Sequence, residues 1–114
     1  MEGIKASEMN DKYPEYMAQW RRDHSTARPP GGETLGEVHT RAWKSTLEIF
    51  NNYNQDIVAI VAHLFPIQGI ICNVLGIHSN DFEKLNINLG SISSIEITND
   101  SYRLISMNET SYID

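Results

Sequence analysis

Asp56-Ile57-Val58-Ala59-Ile60-Val61-Ala62-His63 is the stretch on which the reading of this chain turns. Six consecutive apolar residues, mostly β-branched, predict a strand buried on both faces. His63 follows directly, and Pro66 opens a second apolar stretch from Ile67 to Leu75. In open α/β sheets, ligands collect where parallel strands end and helices begin. A histidine at such a point has two readings. It is either a site residue, because loops at strand ends carry function, or a helix cap or packed ring.

Outward from this stretch the elements alternate. Pro66 suits the first turn of a helix, and Gly76 suits its C-terminal end. Upstream, Thr34-Leu35-Gly36-Glu37 reads as a capping box opening a second helix. Leu35, Val38, Ala42, Leu47, Ile49 and Phe50 supply its expected buried stripe, and Asn51-Asn52 ends it. Residues 7 to 22 read as helical, capped by Ser7. Met9, Tyr13, Tyr16, Met17 and Trp20 recur near helical spacing on a face expected to be core. Pro14 breaks this run, predicting two short helices or a kink near Lys12-Tyr13. His24 to Gly32 is a loop around Pro29-Pro30-Gly31-Gly32. Downstream, Asp81 to Lys84 reads as a short helical turn. Residues 85 to 88, 91 to 98 and 102 to 107 read as strands, the last two joined through Asn99-Asp100 as a hairpin.

This order is an α/β pattern with an antiparallel edge. A strand buried on both faces needs parallel neighbours, and the chain offers few. The expectation is that residues 1–114 form a single partial domain.

With 114 residues, the chain has room for one small domain at most. Its 40% hydrophobic and 21% charged residues fit a globular chain rather than a disordered one. The net charge of -6, with 15 acidic residues against 9 Lys and Arg, argues against nucleic acid as a partner. Arg21-Arg22 reads as a pair at a helix end. No apolar run approaches the ~20 residues that span a bilayer, and the first residues lack an apolar segment, so neither a membrane partner nor a signal peptide is expected. The single cysteine, Cys72, lies within an apolar run. It reads as a buried, inert thiol in a reducing, cytoplasmic setting. His24, His39, His63 and His78 lack the short spacing of a metal site, so neither a metal nor a cofactor is expected.

Several segments carry a resemblance when taken together. Arg28-Pro-Pro-Gly-Gly-Glu33 leads into a capped helix. Ile57 to His63 and Pro66-Ile67 follow, then an apolar helix ending at Leu75-Gly76, then Asp81-Phe82. Asn88-Leu-Gly-Ser91-Ile92 and Met107-Asn108-Glu-Thr110-Ser111-Tyr112 complete the series, and Glu2-Gly3, Tyr13-Pro14-Glu15 and Trp20 fit before it. Their order and spacing resemble the C-terminal half of the histidine phosphatase superfamily, the phosphoglycerate mutase-like proteins. The resemblance covers essentially the whole chain. It implies a three-layer α/β fold, here truncated, with a mostly parallel sheet and an antiparallel C-terminal edge. It also implies phosphoryl transfer through a phosphohistidine, with a small phosphorylated metabolite as partner.

His63 resembles the second histidine of the family's phosphate pocket, a catalytic residue. Arg28, in a loop that borders the pocket in relatives, and Leu64, where the family has glycine, fall at substrate-binding positions. A phosphate monoester spreads negative charge over its oxygens, so fixed donors at a strand end and helix start suit it. Glu33, next to a helix start, and Ser91, in a turn, have structural readings. The family's nucleophilic Arg-His-Gly motif does not occur in this sequence. None of His24, His39 and His78 follows an apolar strand. Loss of a covalent nucleophile costs on the order of a millionfold. The expectation is a phosphomonoester hydrolase or mutase-like family member that is inactive alone. The alternatives are a non-catalytic remnant and an interaction module that pairs with a complementing N-terminal fragment or, as a homo-oligomer, with itself.

Overall fold

The computed structural model describes residues 8–53, 56–99 and 101–111. Among the described residues four α-helices precede the rest: α1 (Met9–Lys12), α2 (Pro14–Arg22), α3 (Leu35–Asn52) and α4 (Leu64–Leu75). A 3-10 helix, Ser79–Lys84, and a hairpin of β1 (Ile92–Ile97) and β2 (Tyr102–Glu109) follow.

Local chemistry explains most boundaries. Pro14 stands at the start of α2, and the chain breaks at Tyr13 as the proline requires. The expected Ser7 cap lies outside the described residues. α3 opens with a complete capping box: the Glu37 amide donates to Thr34 Oγ1 at 3.1 Å, and the Thr34 amide donates to Glu37 Oε1 at 2.9 Å. α4 ends at Gly76, whose left-handed backbone (φ 70°) suits a residue without Cβ. The loop between α2 and α3 is pinned to the 3-10 helix, because the Ser25 amide donates to Asn80 Oδ1 at 2.8 Å.

α3 packs on α4, and the hairpin and 3-10 helix close over α4. Leu35, Ile71, Cys72, Phe82 and Leu85 form the core, with Trp20, Ile67, Ile77, Leu104 and Met107 packed around it. Tyr102 meets Trp43 of α3 edge-on, with ring centroids 5.0 Å apart. The hairpin is antiparallel, pairing Ile95 with Leu104 and Ile97 with Tyr102. Asp100, half of the expected Asn99-Asp100 turn, lies outside the described residues.

Three expectations are corrected. The buried positions of α3 are Leu35, His39 and Thr46, not a purely apolar stripe. Residues 85 to 88 are irregular rather than a strand. Most consequentially, 57 to 62 is not a buried strand. Ile57 is 104% exposed and Val61 98%, and no strand pairs with the segment among the described residues. Backbone hydrogen bonds in a sheet come from neighbouring strands. The sheet formed by the described residues has two strands, both antiparallel, so the mostly parallel sheet expected from the sequence is not present in it.

The surface is large for the mass of the chain. Its accessible surface is 8079 Å², where a compact monomer of 13.0 kDa exposes about 6,300 Å². Its radius of gyration is 15.7 Å, against about 13 Å for a compact chain of this length.

Candidate functional site

His63 is the N-cap residue of α4, in extended conformation (φ -79°, ψ 171°), with no side-chain bond to the helix. Its imidazole is exposed and, among the described residues, has no hydrogen-bond partner. The sequence places the site here for a local reason. Pro66 is the third residue of α4, within its first turn and three residues after His63. The first amides of a helix lack internal partners. At α4 those orphan donors are the N–H groups of Leu64 and Phe65, because Pro66 has none and Ile67 N–H already donates to His63 O at 3.3 Å. An imidazole and two aligned amides at a positive helix end form a site suited to an anion. Leu64 is exposed beside it, so its side chain borders that position rather than filling a core.

Phe65 anchors this terminus. It meets Phe82 edge-on at 5.7 Å between centroids and Trp20 at 6.5 Å. His24 sits 4.4 Å from Trp20 in the same aromatic cluster, and its Nε2 lies 3.8 Å from Glu83 Oε1.

Arg28 is elsewhere. Its Nη1 pairs with Glu37 Oε1 at 2.8 Å and donates to Gly32 O at 3.2 Å, which ties the 28–32 loop to the start of α3. Glu37 Oε1 thus accepts from both the Thr34 amide and Arg28, and its carboxyl is held down at about 2 by those bonds, the backbone one foremost. Arg28 lines an open groove of about 600 Å³ with Lys12, Tyr13, Tyr16 and Gln19. Neither His63 nor Leu64 borders that groove. Among the described residues, no hydrogen bond or ion pair links Arg28 to His63. Glu33 pairs with Arg41 at 3.0 Å, and Ser91 donates its amide to Asn88 O in a turn.

The family model of the histidine phosphatase superfamily (branch 1) matches residues 1–110. The chain belongs to the histidine phosphatase superfamily. Within it, the chain is 31% identical over 115 residues to the "Bifunctional protein Rv2228c" of Mycobacterium tuberculosis, covering 98% of this chain and 31% of that protein. It is 24% identical over 111 residues to "Phosphoserine phosphatase 1" of Hydrogenobacter thermophilus, covering 97% of this chain and 53% of that one. The chain thus spans between about a third and about half of the length of the curated relatives it matches. Its fold is similar to that of Bacillus stearothermophilus YhfR, with a TM-score of 0.86 at 17% identity, covering 98% of this chain and 56% of that one. That likeness identifies an α/β fold of the phosphoglycerate mutase-like kind.

His39 has no role in the readings that its sequence spacing supports. Its ring is 1% exposed, and Nδ1 lies 2.8 Å from Ser79 Oγ. A signal was present: Leu35, His39, Ala42 and Thr46 recur at intervals of four and three, which puts His39 on the buried stripe.

Proposed function

We propose that this chain supplies the phosphate-binding histidine, His63, of a phosphomonoester hydrolase, and that it does not turn over phosphate esters by itself. The observation that carries the reading is the exposed His63 imidazole at the start of α4, beside the free Leu64 and Phe65 amides. In this role His63 donates to a phosphoryl oxygen and the two amides share the charge. Leu64 narrows the approach where relatives carry glycine. Arg28, released from Glu37, would contact the substrate's remote end. The substrate class is a small phosphorylated metabolite, in keeping with a relative named as a phosphoserine phosphatase. A single buried cysteine suits a reducing compartment such as the cytoplasm. No helix among the described residues is long and apolar enough to cross a membrane.

In this reading residues 1–114 are one part of a three-layer domain, and 57 to 62 becomes a parallel strand when its neighbours are supplied. The Arg-His-Gly nucleophile does not occur in the sequence. The exposed apolar segment favours a second reading, an interaction module that pairs with a complementing N-terminal fragment or with itself. The surface exceeds that of a compact monomer by roughly 1,700 Å², more than the ~800 Å² that each partner buries in a standard interface.

Two measurements test the proposal. Purified chain incubated with an aryl phosphate should release no phosphate at enzymatic rates. Turnover abolished by His63→Ala would overturn the claim of inactivity. Titration with inorganic phosphate should shift the His63, Leu64 and Phe65 amide resonances, and their indifference to phosphate would overturn the role of His63.

A further inference from the structure

α4 begins with few of the usual supports. Its N-cap gives no side-chain bond, its first turn has no acidic residue, and its first backbone bond is long at 3.3 Å. A helix end of this kind frays unless something holds it from the side. Phe65 packing on Phe82 is one such support.

His39 is the other. Its imidazole lies directly on α4 at Gly69, where a Cβ would stand 2.6 Å from Cδ2 and Cγ. The Cδ2 edge of the ring, which also carries Nε2, is therefore turned to α4. Nδ1 is engaged with Ser79 Oγ at 2.8 Å. Nε2 is buried and has no hydrogen-bond partner among the described residues. With the Ser79 hydroxyl donating to Nδ1, the ring proton falls on Nε2, on the side of α4. In helical geometry the Phe65 carbonyl accepts from the Gly69 amide, and the ring lies against the Gly69 end of that bond. A buried ring with an unpaired nitrogen is a costlier core filler than leucine, so packing alone does not account for it.

We propose that His39 is a positioning residue: Ser79 orients its ring, and the ring holds the Phe65–Gly69 turn of α4 and so sets the aim of His63. The functional meaning rests on the reading of His63 as a phosphate ligand, whereas the structural content does not.

The test is amide hydrogen exchange, followed by NMR on the purified chain, for wild type, His39→Leu, His39→Gln and Ser79→Ala. Gln retains a hydrogen-bonding group for the Ser79 hydroxyl, and Leu does not. His39→Leu and Ser79→Ala should speed exchange at Ile67, Gln68 and Gly69 on the order of tenfold, and leave the hairpin amides of Ile95 and Leu104 unchanged. His39→Gln should restore slow exchange. Equal acceleration throughout, no acceleration, or no rescue by Gln would overturn the proposal. If His39→Leu does not fold, Ser79→Ala gives the same local readout. Inorganic phosphate separates the two readings: exchange effects as stated, with no phosphate response in wild type, remove the phosphate role of His63 and leave the positioning role standing.

Discussion

Gly69 and His39 approach so closely that no side chain fits between them. A Cβ on Gly69 would stand 2.6 Å from His39 Cδ2 and Cγ and 2.7 Å from its Cα. Two of those atoms belong to a ring fixed by Ser79, and the third is backbone, so the contact cannot be relieved by swinging a flexible chain aside. Gly69→Ala should therefore force α3 and α4 apart. The expected cost is that of an overpacked core, roughly 1–3 kcal/mol, read as a lower urea midpoint. An unchanged midpoint would mean that the helices slide past each other freely.

The same burial sets a pH dependence. Burial lowers the His39 pKa from 6.5, with the Phe65 backbone opposing it. The unfolded chain then takes up this proton before the folded one does. Stability tied to His39 is thus complete above about pH 6.5 and is lost as pH falls below it. Urea midpoints at pH 7.5 and pH 5 should differ more for wild type than for His39→Gln. Parallel pH profiles for the two proteins would refute the assignment to His39.

The capping box of α3 gives a second pH signature, at lower values. The Glu37 carboxyl is depressed from 4.5 to about 2, chiefly by the Thr34 amide and then by Arg28. Its contribution is present above pH 4.5 and disappears as pH falls toward 2. Thr34→Ala removes the hydroxyl half of the box and should cost about 1 kcal/mol at neutral pH. Thermal melts between pH 2 and pH 6 should show a shallower acid limb for Glu37→Gln. A limb of wild-type steepness would exclude Glu37 as its source.

Cys72 is buried in the core, and burial, with the Asp81 charge second, raises its thiol above 9.0. The thiol therefore stays protonated and shielded at neutral pH. Iodoacetamide at pH 8 should label native protein far more slowly than urea-unfolded protein. Equal labelling rates would contradict a buried thiol.

The exposed segment predicts a surface behaviour. Ile57→Lys and Val61→Lys alter side chains that are fully in solvent, so folding stability should change by less than about 0.5 kcal/mol. Binding of a hydrophobic dye and concentration-dependent association, seen by light scattering, should fall markedly because an unpaired apolar edge invites pairing. A large loss of stability in either variant would mean that the segment is packed after all.

Local chemistry was legible because its signals are short-range. Thr34 with Glu37, Pro14 and Gly76 placed helix ends through bonds and φ preferences that span only a few residues, whereas α4 starts at Leu64, two residues before Pro66. The position of His63 at the head of α4 was legible for the same reason. Burial was less so: the count of apolar residues on α3 missed His39 and Thr46, because a polar side chain enters a core once its partners, Ser79 Oγ and Ala42 O, are close in space. The substrate positions divided. Leu64 adjoins His63 by sequence alone, but Arg28 was drawn to Glu37, a pairing fixed by how the 28–32 loop folds onto α3.

The sequence by itself determined most helix boundaries, the hairpin, the family and the place of its histidine, since each is written in nearby residues or their order. Only the tertiary structure decided that Ile57 to Ala62 lies open to solvent and that His39 lies against Gly69. A strand exists only where other strands accept its hydrogen bonds, and a buried imidazole is tolerated only where another segment supplies the facing groups.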